Sequence, residues 1–167
     1  MRLDQILATV HILESLNTRI PFQWTQDGTE LQGNGNLDDV KIGITISALT
    51  YQGLNGCNLA FTTEQDGMPI ETFRNEFGLL SSKIIGAVVN EFNSKLKEYD
   101  VDFVCLVAKD HVEKRASLYK IIATKLAREN LMHVKTFKYD GTLVTVMIRS
   151  TLPVQLVNDI AARFDMN

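Results

Sequence analysis

The sequence predicts an α/β domain of the α+β kind: a mixed, mainly antiparallel sheet with helices on both faces. Three observations predict it. Asp102-Phe103-Val104-Cys105-Leu106-Val107-Ala108 is almost continuously apolar, as in a strand covered on both faces. Helical apolar patterns lie on either side of it, one over Gly78–Phe92 and one in the segment that carries Tyr119. Short alternating runs punctuated by turn residues fill the chain before and after this centre.

The elements follow in order. Leu3, Ile6, Leu7, Val10, Leu13 and Leu16 recur at three- and four-residue steps, which predicts an amphipathic helix over 3–17 that Pro21 forbids from continuing. Phe22-Gln23-Trp24-Thr25 alternates and meets the Asp27-Gly28 turn signal. Residues 30–36, Glu-Leu-Gln-Gly-Asn-Gly-Asn, read as a flexible, turn-rich loop. Val40, Ile42, Ile44 and Ile46 alternate with Lys41, Gly43 and Thr45 as a half-buried strand. Gln52–Gly56 reads as a turn, and Cys57, Leu59 and Phe61 as the next strand, giving a three-stranded antiparallel meander.

Residues 64–76 are polar with one proline and read as a loop. A helix over about 78–98 buries Leu80, Ile84, Ile85, Val88, Phe92 and Leu96. After strand 102–108, Asp110 with Glu113 forms a capping box for a helix that runs to about Glu129, where Asn130 ends it. One face of that helix carries Val112, Ala116, Tyr119, Ile122, Ala123 and Leu126. The opposite face carries Lys114, Lys125 and Arg128. Strands over 133–138 and 143–148 flank the hairpin turn Asp140-Gly141, and Pro153 opens a last helix with Val154, Leu156, Val157, Ile160 and Phe164. The predicted order is α-β-β-β-α-β-α-β-β-α.

The 167 residues fit one globular domain, 1–167, with its own core. No apolar run reaches the roughly 18 residues a membrane helix needs, and Met1-Arg2-Leu3-Asp4-Gln5 is not the start of a signal peptide. Cys57 and Cys105 fall inside strands without metal or redox spacing, so buried thiols in a reducing, cytoplasmic compartment are expected. Net charge is −3 but uneven: residues 1–108 carry 7 basic and 14 acidic side chains, residues 109–138 carry 8 and 3. A basic face for an anionic or protein partner is expected there.

This order, with a first strand absent and one early helix lost, resembles the GNAT-type N-acetyltransferase fold. In that family a strand leads into a Gln/Arg-x-x-Gly-x-Gly/Ala loop. The backbone amides of that loop and the following helix N-terminus hold the acyl-CoA pyrophosphate. Asn75-Glu76-Phe77-Gly78-Leu79-Leu80 lies at the corresponding place, and the resemblance implies Asn75, Gly78, Leu79 and Leu80 as the cofactor-binding positions. Leu80 stands where the family keeps a small residue, and Glu76 adds negative charge near the phosphate position. Ala116-Ser117-Leu118-Tyr119 is similar, one residue out of step, to a later helix whose tyrosine protonates the departing CoA thiolate. That implies Tyr119 as the catalytic residue. The Lys-Arg-x-x-Leu-Tyr pattern at 114–119 also resembles that of small uncharacterised bacteriophage proteins, which implies a viral protein of the host cytoplasm.

Three functions follow as expectations. The first is a non-catalytic GNAT-like domain, a bacteriophage accessory or structural protein, that binds a protein partner or itself. Its contact residues are Lys114, Leu118, Ile121, Lys125 and Arg128, where apolar groups flank a basic stripe. The second is an acetyl-CoA-dependent N-acetyltransferase. The third is a nucleic-acid-binding module that uses the basic helix 110–129, although that stripe lacks interleaved aromatics. His11, His111 and His133 share no ligand spacing, Glu71, Glu76, Asp100 and Asp102 are the acids available as a base, and no metal motif occurs.

Overall fold

A computed structural model describes residues 2–5, 15–69, 79–108 and 112–165. Residues 3–5 and 15 are helical, at the two ends of the predicted first helix. Four strands follow: β1 (Phe22–Asp27), β2 (Glu30–Leu37), β3 (Val40–Tyr51) and β4 (Leu54–Gln65). A short β5 (Met68–Pro69) pairs with the end of β4. Then come α1 (Leu79–Glu98), β6 (Phe103–Ala108), α2 (Val112–Glu129), β7 (Met132–Tyr139), β8 (Thr142–Arg149) and α3 (Leu156–Asp165). The strands lie in the order β1-β2-β3-β4-β6-β8-β7. Each neighbouring pair is antiparallel except β4 and β6, which run parallel and are joined through α1. The architecture is α+β on one mainly antiparallel sheet.

Residues 30–36 are strand, not loop. Gly33 and Gly35 of β2 lie opposite Trp24 and Phe22 of β1. A Cβ on Gly33 would stand 2.8 Å from the Trp24 ring, and one on Gly35 3.0 Å from Phe22. The glycines that read as turn residues are the gaps into which two aromatic rings fold, and the rings replace the packing those strand positions lack. The meander therefore has four long strands rather than three. Gln52–Gly56 likewise shrinks to a two-residue turn, Gln52-Gly53, with both residues at positive φ (46° and 80°). The predicted loop over 64–76 begins later, because Asp66-Gly67 makes another such turn, at φ 53° and 76°.

Val40, Ile42, Ile44 and Ile46 of β3 are buried with Cys57 and Leu59 of β4 and with Val104 and Leu106 of β6. Ile84, Ile85, Val88, Phe92 and Leu96 of α1 and Tyr119, Ile122 and Leu126 of α2 complete that cluster. A second cluster joins Phe103 and Cys105 of β6 with Val144, Val146 and Ile148 of β8 and Val157, Ile160 and Ala161 of α3. Leu80, Leu3 and Val154 were expected on buried faces and are exposed. Leu80 sits in the first turn of α1, where the buried face begins only at Ser81, and Leu156 rather than Pro153 starts α3.

Local ties fix the helices. Trp24 Nε1 donates to Glu91 of α1 at 2.6 Å, and the Lys95 ammonium lies 4.8 Å from the Trp24 ring centre. Gly86 of α1 takes the backbone of Ser15 and Leu16 against its Cα, and Asn90 Nδ2 donates to the Thr18 carbonyl at 2.8 Å. At the other end of α1, Asn93 bonds Glu129 and Asn130 of the α2 terminus.

Candidate functional site

The positions implied for acyl-CoA lie at the head of α1. Asn75 and Gly78 fall outside the described residues. Leu79 opens the helix, and Leu80 beside it is 44% exposed. Glu71 and Glu76 also fall outside. The two parallel strands that lead towards this end pair over only four residues, from Gly56↔Phe103 to Leu59↔Leu106. Beyond that point β4 continues to Gln65 beside β3, and β6 to Ala108 beside β8, without pairing each other. The C-terminal ends of parallel strands are where open α/β sheets commonly take ligands. Tyr119 lies in the cluster shared by α1 and α2 and is 6% exposed.

The two thiols are structural. Cys57 and Cys105 are buried on neighbouring strands, and burial pushes each thiol up to about 12. For Cys105 the nearby Cys57 adds to the effect of burial. Neither supplies a thiolate near neutrality. Asp102 accepts the Asn55 amide at 2.9 Å, and Arg149 pairs with Asp100 and donates to the Val101 carbonyl at 3.0 Å. These acids brace the start of β6. His133 lies on β7, and His11 and His111 are outside the described residues. No group of three metal-ligating side chains occurs among the described residues, and no helix among them is long and apolar enough to cross a membrane.

The basic helix is dispersed by the fold. Lys125 Nζ donates to the Leu16 carbonyl at 3.2 Å and so ties the N-terminal segment to α2. Ile121 packs against the core. Lys114 and Leu118 lie on α2, with their side chains outside the description. Arg128 stays exposed in the last turn. The apolar groups beside it are others. Leu131 is 74% exposed and Val134 44% exposed, just past α2 and on β7.

Leu131 follows Asn130 at the end of α2 with φ at 53°. This left-handed position after a helix is usually glycine, because a Cβ there clashes with the backbone. The chain thus holds a leucine where both its backbone and its hydration are unfavourable. Its signal in the sequence is Asn130-Leu131, an apolar residue where a helix C-terminus favours glycine. Next to it a hollow of about 330 Å³ is lined by Leu96, Tyr99, Met132 and Arg149 among others. A second cavity of about 500 Å³, with Leu31, Ile46, Leu96 and Val101 in its walls, lies at the same end of α1.

Comparison with protein-family models, with curated proteins and with solved structures gives no match. The functional reading therefore rests on geometry.

Proposed function

We propose that this chain is a GNAT-like domain that works by binding a protein partner, through a surface centred on Leu131 and Val134 beside Arg128. Leu131 carries the reading. A leucine that is three-quarters exposed in a left-handed backbone position weakens the isolated fold, and a partner that buries it offsets both penalties. The GNAT-like part is supported by the strand order, with its lone parallel pair between two antiparallel halves. It is also supported by side-chain alternation along β6, where Phe103 and Cys105 meet α3 while Val104 and Leu106 meet α1 and α2. In this reading α3 covers the face opposite the other two helices.

The test uses a substitution with opposite signs. Leu131→Gly relieves the backbone and should stabilise the isolated domain by about 0.5–1 kcal/mol, read from the denaturant midpoint. The same change should abolish the adduct formed in producing cells by a photo-crosslinking residue placed at Val134. A control crosslinker at Ala60, exposed on β4, should form none. An adduct that persists in Leu131→Gly, or none at Val134 in the parent chain, overturns the reading.

The parting of β4 and β6 favours a second reading, acyl-CoA-dependent N-acetyl transfer, in which the head of α1 with Asn75, Gly78, Leu79 and Leu80 holds the pyrophosphate and Tyr119 donates the proton. Calorimetric titration with acetyl-CoA at low salt decides it. Exposed Leu80 and acidic Glu76 lead us to expect no binding, and a dissociation constant in the low micromolar range, about −8 kcal/mol, would promote the enzyme.

A further inference from the structure

We infer that the free edge of β7 takes an extended, acidic segment of the partner as an added strand. The inference rests on the binding reading above and names the partner's chemistry.

The argument starts from hydrogen-bond parity. In an antiparallel pair, alternate residues turn both backbone groups towards the neighbour and the residues between turn them away. The Ser150 amide donates to the Leu131 carbonyl at 3.1 Å, which sets the parity at one end of the β7–β8 ladder. Tyr139 and Thr142 close the two-residue hairpin at the other. Odd-numbered residues of β7 therefore bond β8. Met132, Val134, Thr136 and Lys138 present their N–H and C=O groups outward. Among the described residues β7 has β8 as its sole strand neighbour and ends the sheet. It offers donors and acceptors at every second residue, the pattern an added strand matches.

The other edge differs. β1 is shorter, and its Phe22 and Trp24 rings fold back over the β2 glycines. On β7 the side chain of Val134 stays exposed, three positions after exposed Leu131.

Charge selects the occupant. Met132–Tyr139 contains His133, Lys135 and Lys138 and no acid, with Glu129 and Asp140 just outside it. Lys135 Nζ donates to the neutral Asn158 side chain of α3 at 3.2 Å, so its charge stays unneutralised. Two such edges brought together would double the lysines along one seam with nothing opposite to neutralise them, so a second copy of this chain is disfavoured. Side chains alternate along β7, so Lys135 shares a face with His133 and Lys138 shares the other with Val134. A strand that alternates acidic with apolar or β-branched residues sets its acids against His133 and Lys135 and its apolar side chains against Val134.

A ten-residue peptide alternating Glu and Val is the probe, with its Lys and Val counterpart as control. At low salt the acidic peptide should bind at least tenfold more tightly, by fluorescence anisotropy. It should also slow exchange of the Val134, Thr136 and Lys138 amides at least tenfold while the Phe22–Asp27 amides stay unchanged. Joint reversal, His133→Glu with Lys135→Glu, should invert the peptide preference. Thr136→Pro, which removes an outward amide, should abolish binding. Should that variant fail to fold, the exchange measurement on the parent chain still decides. Unprotected β7 amides, indifference to charge reversal, or a dimer formed through β7 in sedimentation each overturn the inference. A crosslinked adduct at Val134 that survives Thr136→Pro would sink strand addition alone and leave the binding surface standing.

Discussion

Gly56 shows how a single missing atom shapes this sheet. It lies opposite Phe103 at the start of the parallel ladder. A Cβ there would sit 2.4 Å from the Phe103 ring, which is itself buried. The ring is rigid and enclosed, so the clash has no cheap escape. Gly56→Ala should destabilise by about 1–3 kcal/mol in denaturant titration. Phe103→Leu, placed in the same chain, should recover part of that loss, because the two changes act on one space. Additive losses would show that the ring does not rest on Gly56. Leu131 is the reverse case, a side chain kept where its absence would suit the fold better.

At the scale of elements, α1 is the piece on which others converge. It spans from the exposed Leu80 to the Asn93 junction with α2, and it carries Glu91 to Trp24 and Asn90 to the segment after the first helix. Gly86 makes that last contact close. Replacing it by alanine gains about 0.5–1 kcal/mol of helix propensity, but the new methyl would lie 2.7 Å from the Ser15 carbonyl, a backbone atom that cannot swing aside. The net effect of Gly86→Ala should be a loss of about 1–3 kcal/mol. Faster amide exchange should appear at Thr18, whose N–H bonds the Ser15 carbonyl at 3.0 Å. A gain in stability would mean that residues 15–18 do not seat on α1.

For the whole molecule, the two buried thiols couple stability to pH. Below their ordinary value of 9.0 both thiols are protonated in the folded and the unfolded chain. Between 9.0 and about 12 only the unfolded chain ionises them, so their contribution to stability is lost as pH rises. Each thiol steepens the decline by at most about 1.4 kcal/mol per pH unit. The Cys57→Ala, Cys105→Ala double variant should be less stable at pH 8 yet decline less steeply between pH 9 and 11, measured by urea midpoints at each pH. Parallel curves for parent and variant would contradict the burial. The parent should also resist thiol reagents at pH 8 until denaturant is added.

The sequence by itself determined the apolar centre at Phe103–Ala108, the buried stripes of α1 and α2, the β3 alternation and the Asp140-Gly141 turn. Each of these is written in residues a few positions apart, because helix and strand periods are local. It misplaced β2, since glycines read alone say turn, and only the Trp24 and Phe22 rings on a neighbouring strand explain them as strand. It could not show that Lys125 spends its charge on the Leu16 carbonyl, 109 positions earlier. Nor could it show that Ile121 turns inward while Leu131 and Val134 stay exposed. The candidate surface was legible only as a basic region near the end of α2. Its apolar members, and the placing of β7 at the sheet's edge with every second amide turned outward, were decided by which strands became neighbours. That choice depends on contacts between distant residues, which no local period records.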